Sequence, residues 1–411
     1  MRILFVSNLY PPHYLGGYEF GCFEAVNHLK NRGHDVCVLT STYGVTNPES
    51  DGEVYRWLQA DPEKLIGSLG QRALRVVRKE IRNQRAFKRV VSEFRPDLVY
   101  FWNLRGISIS LPFWAQRKNL RHCYYVFDKW LETWWQDQWF SLWPPAPRRR
   151  VVNVASDALK SCFQKAGILT TDSLVLDHAH FASDFLRHAL VQSGQQVRSP
   201  EVIHWGIEID EFPFQSQASP ERILFAGQLG PHKGVHTAIE AFAILVCDHN
   251  QTNLRLTIAG SGSDREYEGE LHRLARLGGV EQYVEFVGFV PRDRLAELYQ
   301  QHGLLLFPSI VDEGLGLSLL EGMASGLAVV GTASGGSGEI LQHQKTGLVF
   351  RRGDAGSCAE QIRRLVDDRD LFEELRCSGR HLVEEEFTID RTIGNIERSL
   401  LKIYGSSQLS L

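Results

Sequence analysis

The 411-residue chain has no CxxC pair, no apolar run long enough to span a membrane and no strong charge of either sign. Each absence excludes a class. The seven cysteines (Cys22, Cys37, Cys123, Cys162, Cys247, Cys358 and Cys377) are odd in number and scattered. They read as reduced thiols of a cytoplasmic protein, not as a disulfide framework or a structural zinc site. A formal charge of −4 is too balanced for a dedicated nucleic-acid binder. The start, Met1-Arg2-Ile3-Leu4-Phe5-Val6, begins like a signal peptide, but its apolar run stops short of the ~7–15 residues an h-region needs. No run approaches the ~18 apolar residues of a transmembrane helix. Short tandem repeats and low-complexity tracts are missing too, and no Asp or His cluster has metal-ligand spacing. What is present is ordinary globular composition, 43% hydrophobic with 36 glycines and 15 prolines, in a chain long enough for two to three domains at ~100–200 residues each.

Short apolar runs alternate with longer helical patterns, which argues for parallel sheets covered by helices. Residues 3–6 read as a strand, Gly16-Gly17 as a turn, 19–31 as an amphipathic helix ended by Gly33, and 36–39 as the next strand. Further strands are expected at 54–57, 98–101, 123–126, 151–155, 174–176 and 202–204. The pattern lapses at 206–220, a hinge, and a second series follows. Its strands fall at 223–226, 254–259, 284–286, 304–307 and 328–330, and its helices at 235–246, 267–277, 294–301 and 317–324, with helix from 355 onward. The expectation is an α/β protein of two doubly wound, Rossmann-like domains facing across a cleft. They run over 1–205 and 206–388, with a C-terminal helix at 389–411 that packs back on the first. Ligands of such sheets sit outside the carboxyl ends of the strands.

Two stretches break the rhythm. Arg72, Arg75, Arg78, Lys79, Arg82, Arg85, Lys88 and Arg89 stud one helix with only Glu80 opposing them, while Leu74, Val77, Ile81, Phe87 and Val91 lie roughly opposite. This stripe fits either an anionic membrane face or a solvated surface helix. Trp130, Trp134, Trp135, Trp139, Phe140 and Trp143 precede Pro144-Pro145. They suit a platform for stacking a sugar or a lipid-linked acceptor, or an aromatic plug between domains.

Three turns can meet a phosphate. In Pro308-Ser309-Ile310-Val311-Asp312-Glu313-Gly314-Leu315-Gly316-Leu317, a buried strand gives way to a glycine turn and a helix start, where free N–H groups and the helix dipole favour an anion. Glu313 and Glu321, eight apart, can flank it and accept from sugar hydroxyls. In Gly227-Gln228-Leu229-Gly230-Pro231-His232-Lys233-Gly234, Lys233 is a point charge just ahead of a helix. Gly16-Gly17 supplies a third close backbone approach.

These residues, together with Glu19, Ala259-Gly260-Ser261-Gly262, Phe286-Val287-Gly288-Phe289-Val290-Pro291, Gly335-Gly336-x-x-Glu339 and Gly347-Leu348-Val349-Phe350, stand in an order and context that resemble retaining glycosyltransferases of family 4. The likeness is dense from 223 to 350 and weaker before it. It implies the GT-B fold. It also implies that Glu313 holds donor-sugar hydroxyls, that Glu321 binds the ribose, and that Leu315, Gly316 and Leu317 offer N–H groups to the diphosphate. Lys233 matches the family's phosphate lysine. Gln228 stands where an arginine is usual, Phe289 and Val290 fall in the base-binding loop, and Gly17 approaches the diphosphate from the first domain. One departure is plain: Phe127-Asp128 replaces a His-Asp pair, so Asp128 is left to orient donor or acceptor, or to cap a turn.

The resemblance implies transfer from a nucleotide-diphosphate donor, with no cofactor beyond that co-substrate and no metal. The expected donor is a UDP-sugar, UDP-glucose first. The expected acceptor is a saccharide or lipid-linked glycan, met in the cytoplasm or at the inner face of the cell membrane. In the family's front-side mechanism the departing phosphate takes the acceptor's proton, so Lys233, Glu313 and Asp128 are the catalytic candidates. A UDP-sugar 2-epimerase and a catalytically weak nucleotide-sugar-binding protein are the rival readings.

Overall fold

The structure, a computed structural model, describes residues 1–14, 16–45, 53–61, 69–140, 154–165, 168, 174–262 and 264–405. The chain forms two compact units: Met1–Ala182 with Leu186–Ile203 and Ile393–Leu411, and Ser183–Phe185 with His204–Thr392.

The first unit runs β1 (Arg2–Val6), α1 (Gly17–Asn31), β2 (Asp35–Ser41), β3 (Val54–Leu58), α2 (Leu69–Phe94), β4 (Leu98–Phe101), α3 (Ser110–Arg117), β5 (His122–Val126), α4 (Val154–Lys165), β6 (Leu176–Phe181), α5 (Asp184–Gln192) and β7 (Val197–Val202). Its seven strands lie in the order β3-β2-β1-β4-β5-β6-β7, every pairing parallel. Strands covered on both faces read as continuous apolar runs, and Ile3, Leu4, Phe5 and Val6 are each fully buried. The order reverses between β1 and β4.

The second unit runs β8 (Arg222–Ala226), α6 (Val235–Ala243), β9 (Arg255–Ala259), α7 (Arg265–Leu277), β10 (Val284–Gly288), α8 (Leu295–Gln300), β11 (Leu304–Phe307), α9 (Leu317–Ala324), β12 (Ala328–Gly331), β13 (Leu348–Val349), α10 (Ala355–Asp367) and α11 (Arg369–Glu386). Its six parallel strands are ordered β10-β9-β8-β11-β12-β13, reversing between β8 and β11. Ile223, Leu256, Leu304 and Val330 of the strands pack with Ile239, Phe242, Leu271, Ile362 and Phe372 of the helices in one core. Each such side chain stabilises the fold by roughly 1.5–3 kcal/mol. Asp264, Asp354 and Asp368 cap α7, α10 and α11 through backbone N–H groups. From Ile393 the last helix, α12 (Ile389–Gly405), belongs to the first unit. There Glu397 pairs with Arg32 at 2.9 Å, and Ser399 bonds His180 at 2.8 Å and Glu201 at 2.7 Å.

Several expectations need correction. Val154 and Ala155 open α4, where a strand was expected at 151–155; residues 151–153 lie outside the described residues. The local β-branched run is overridden by the helical pattern that follows. Strands expected at 174–176 and 202–204 are displaced, to Leu176–Phe181 and Val197–Val202. The basic stripe is smaller than its sequence suggests. Lys79 is buried, donating to the Gly106 carbonyl at 3.0 Å and to Gln138 at 2.9 Å. Glu80 is fully buried, and Leu74, expected on the apolar side, is half exposed. Trp130, Trp139 and Phe140 are buried, so they form a plug and present no open stacking face. Trp130 donates its indole N–H to Tyr18 at 3.1 Å, and Trp139 meets Phe163 edge-on. Trp143, Pro144 and Pro145 lie outside the described residues.

Candidate active site

The strand-order reversal of the second sheet leaves the ends of β8 and β11 side by side with crossovers leaving in opposite directions, the place where such sheets receive ligands. Both phosphate-type turns begin there. After β8 the chain passes through Gly227 and exposed Gln228 to a single helical turn ending at Lys233. Gly234 then adopts φ +68° as the N-cap of α6. A Cβ there would lie 2.0 Å from the Pro308 carbonyl oxygen. Only glycine lets the β8 turn approach the β11 turn this closely while taking a left-handed conformation.

That approach brings Lys233 onto Glu313. Lys233 Nζ donates to Glu313 Oε1 at 2.7 Å, and the Ser309 hydroxyl donates to the same oxygen. Glu313 is fixed through its backbone as well. Its N–H donates to Ser334 at 3.2 Å, and its carbonyl accepts from Gly336 at 2.8 Å. The Gly335-Gly336 element after β12 thus holds the glutamate in place. Just beyond, Gly316 at φ +101° caps α9. Among the described residues the N–H groups of Leu315, Gly316 and Leu317 donate no hydrogen bond. A cation, an acceptor carboxylate and three uncommitted N–H groups therefore converge on one strand edge, an arrangement that suits a phosphate bearing a hydroxylated group.

Glu321 stands one turn into α9, buried. Tyr299 donates to its Oε2 at 2.9 Å, and Arg292 lies 3.4 Å from its Oε1. Burial pushes this carboxyl above its ordinary value, with Arg292 and the Tyr299 hydroxyl opposing. Arg292, three residues past Phe289, ties the loop after β10 to this carboxylate. Phe289 itself is 69% exposed and Val290 is half-buried. Glu339 accepts from His204 at 2.8 Å and from the N–H groups of Asp184 and Phe185 at 3.0 and 2.9 Å. Burial alone would raise its pKa, but these donors hold it below the usual carboxylate range. Sequence reasoning gave no role to Ser309, Arg292 and Tyr299, because each acts through a neighbouring carboxylate; Ser309 stands in the glycine turn itself, Arg292 and Tyr299 outside any such motif.

Gly17 and Asp128 lie in the first unit. Gly17 opens α1, whose start is closed by Glu19, a buried carboxylate that accepts from Gly16 N–H at 3.1 Å and from Asn103 at 2.9 Å. Asp128 follows β5 and accepts from Trp130 N–H at 2.9 Å, the turn-capping role, while its other oxygen lies 3.5 Å from Arg105. Burial raises its pKa and Arg105 opposes the shift. Among the described residues no three His, Cys, Asp or Glu are grouped as a metal ion would require, and no helix is long and apolar enough to cross a membrane.

Residues 207–381 match the family described as glycosyl transferases group 1. Over 98% of both chains, the protein is 32% identical to an uncharacterised glycosyltransferase of Methanocaldococcus jannaschii. It is 28% identical to the glycogen synthase of Mycobacterium tuberculosis, over 90% of this chain and 86% of that one. In structure it is similar to HepE of Anabaena, solved in complex with UDP and glucose, with a TM-score of 0.67 and 19% identity over 98% of this chain and 100% of that one. Two parallel α/β sheets, the charged pair at the β8/β11 reversal and this kinship over nearly the whole chain lead to one conclusion: the chain belongs to the group 1 glycosyltransferases, glycosyl-transferring proteins of glycan biosynthesis with the GT-B fold.

Proposed function

We propose that the protein is a retaining, metal-independent glycosyltransferase of family 4 that takes a UDP-sugar and passes the sugar to a saccharide or lipid-linked acceptor. The observation that carries this reading is the Lys233–Glu313 pair beside the uncommitted N–H groups that open α9. An arriving diphosphate competes for the ammonium of Lys233 and takes the three N–H groups, while Glu313 is freed to accept from sugar hydroxyls. In the reaction the anomeric C–O bond to the diphosphate breaks and a bond to the acceptor oxygen forms. Charge grows on the departing phosphate, where Lys233 and the start of α9 are already aimed. The acceptor's proton passes to that phosphate oxygen, so no protein base is needed, and the absence of histidine at Phe127 is tolerated. Glu321, held by Tyr299 and Arg292, is the ribose acceptor. Asp128 orients the acceptor, and the exposed arginines of α2 favour work at an anionic membrane face.

The test is consumption of a panel of UDP- and GDP-sugars, with UDP-glucose first because the Anabaena neighbour was solved with UDP and glucose. Free UDP with a glycosylated acceptor supports the reading; an epimerised sugar still attached to UDP would assign an epimerase. Glu313→Ala is expected to lower turnover by roughly 10²–10³ while nucleotide affinity is largely kept. Unchanged turnover in that variant would remove Glu313 from the site.

A further inference from the structure

On the first unit, α2 carries Arg78, Arg82, Arg85 and Arg89 at i, i+4, i+7 and i+11, one stripe of the helix. With Ile81 of the same helix and Trp57 of β3 they line a pocket of about 550 Å³, within the ~300–1,000 Å³ usual for small-molecule sites. Among the described residues β3 is the edge strand of its sheet, and its Trp57 forms one wall of the pocket.

The charges here are not used up by the fold. Arg89 is the anchored member: its guanidinium lies 4.6 Å above the Trp57 ring and its Nε donates to Glu93 at 2.8 Å. Arg78, Arg82 and Arg85 are exposed and form no ion pair with any described residue. Glu80, the carboxylate that could have neutralised them, is turned inward onto Ser110 and Gln84. Like charges three and four apart weaken a helix, so Arg78, Arg82 and Arg85, without counter-charges among the described residues, gain from an anion. Guanidinium groups match phosphate oxygens in pairs, and an indole wall keeps water from one side.

We propose that the pocket between α2 and β3 is a phosphate site, built to take a phosphate monoester or a diphosphate group. It stands apart from the donor assignment, since no residue lining it belongs to the second unit. The group has two sources, the headgroup of an anionic lipid or a free phosphorylated ligand.

The experiment is a titration of the full chain with inorganic pyrophosphate, read by tryptophan fluorescence. The difference between wild type and Trp57→Phe isolates the pocket from any binding on the second unit. A saturable signal dependent on Trp57 is expected, weakened roughly tenfold or more in the Arg82→Gln/Arg85→Gln variant. Both side chains are exposed, so unchanged circular dichroism confirms that the variant is folded. In a second arm, the protein is sedimented with vesicles of phosphatidylcholine and phosphatidylglycerol. Vesicle binding that pyrophosphate displaces assigns the lipid headgroup. Pyrophosphate binding without vesicle binding assigns the free ligand. A wild type with no Trp57-dependent signal, or a double variant that binds as well as wild type, overturns the proposal.

Discussion

Both sheets reverse their strand order beside their first strand, yet the two edges so formed differ in the side chains that furnish them. At the β1/β4/β5 edge, side chains satisfy one another: Glu19 takes Asn103, Tyr18 donates to the Tyr125 carbonyl, Trp130 donates to Tyr18, and Asp128 takes the Trp130 N–H. At the β8/β11 edge the groups that converge are backbone N–H groups and one lysine–glutamate pair. The first edge carries a network of side-chain hydrogen bonds beside the start of α1, where the N–H groups of Gly17 and Tyr18 also have no acceptor among the described residues; the second adds a lysine–glutamate pair to such N–H groups. A shared topology therefore fixes where a site can form, and the local chain decides which charged side chains stand beside it.

The sharpest way to break this comparison is to add one methyl group at each edge. Gly234→Ala places a Cβ 2.0 Å from the Pro308 carbonyl at φ +68°. It is expected to lower stability by at least about 2 kcal/mol and to cut nucleotide-sugar turnover more than roughly 100-fold, because Lys233 is displaced. Gly16→Ala, where φ is −170° and the added Cβ meets nothing within 4 Å, is expected to leave stability nearly unchanged. Thermal melts and donor consumption for the two variants decide the matter. Equal damage at both glycines would deny that the second edge is specially constrained.

That contrast also explains what the sequence could tell. The β8/β11 site is legible because backbone that must turn left-handed or pass within van der Waals contact of another turn demands glycine, and glycine is visible in a sequence. Lys233, Glu313 and Gly316 announce themselves in this way. Nothing similar announces Tyr299, whose hydroxyl reaches Glu321 only after α8 has packed on α9. The alternation of strands and helices was legible from apolar runs, since both sheets are parallel and covered. It failed at 154–155, where Ala155 and the β-branched Val154 open a helix. The inward turn of Lys79 was hidden as well, because a helical stripe of cations does not reveal which of them finds buried carbonyls.

Buried carboxylates sharpen the comparison further. Glu80, in the first unit, is pushed up to about 7 from 4.5, chiefly by burial, with hydrogen bonds from Ser108, Ser110 and Gln84 opposing. A carboxyl raised in the folded state contributes stability that is full below the unfolded value and is lost as pH rises from 4.5 through about 7. Glu80→Gln is therefore expected to match wild type near pH 4.5 and to melt higher above pH 7, by about 1–2 kcal/mol of stability. Melting curves across that range test it, and a variant that gains nothing at high pH would show that the Ser110 and Gln84 hydrogen bonds already carry the charge.

Glu321 is the counterpart in the second unit, equally buried but given Arg292 and the Tyr299 hydroxyl. Here the same desolvation is partly offset by a cation as well as a hydroxyl, which favours the anionic acceptor that the proposed ribose contact needs. Tyr299→Phe removes one neutral donor and leaves the ring's packing against Phe212 intact. The lost hydrogen bond, about 0.5–1.5 kcal/mol, corresponds to a rise of roughly two- to tenfold in the donor's KM. On the proposed assignment of Glu321 to the ribose, away from the breaking bond, kcat is expected to hold. A fall in kcat with KM unchanged would place Tyr299 and Glu321 nearer the reacting phosphate than the ribose, and would move the boundary between recognition and chemistry along α9.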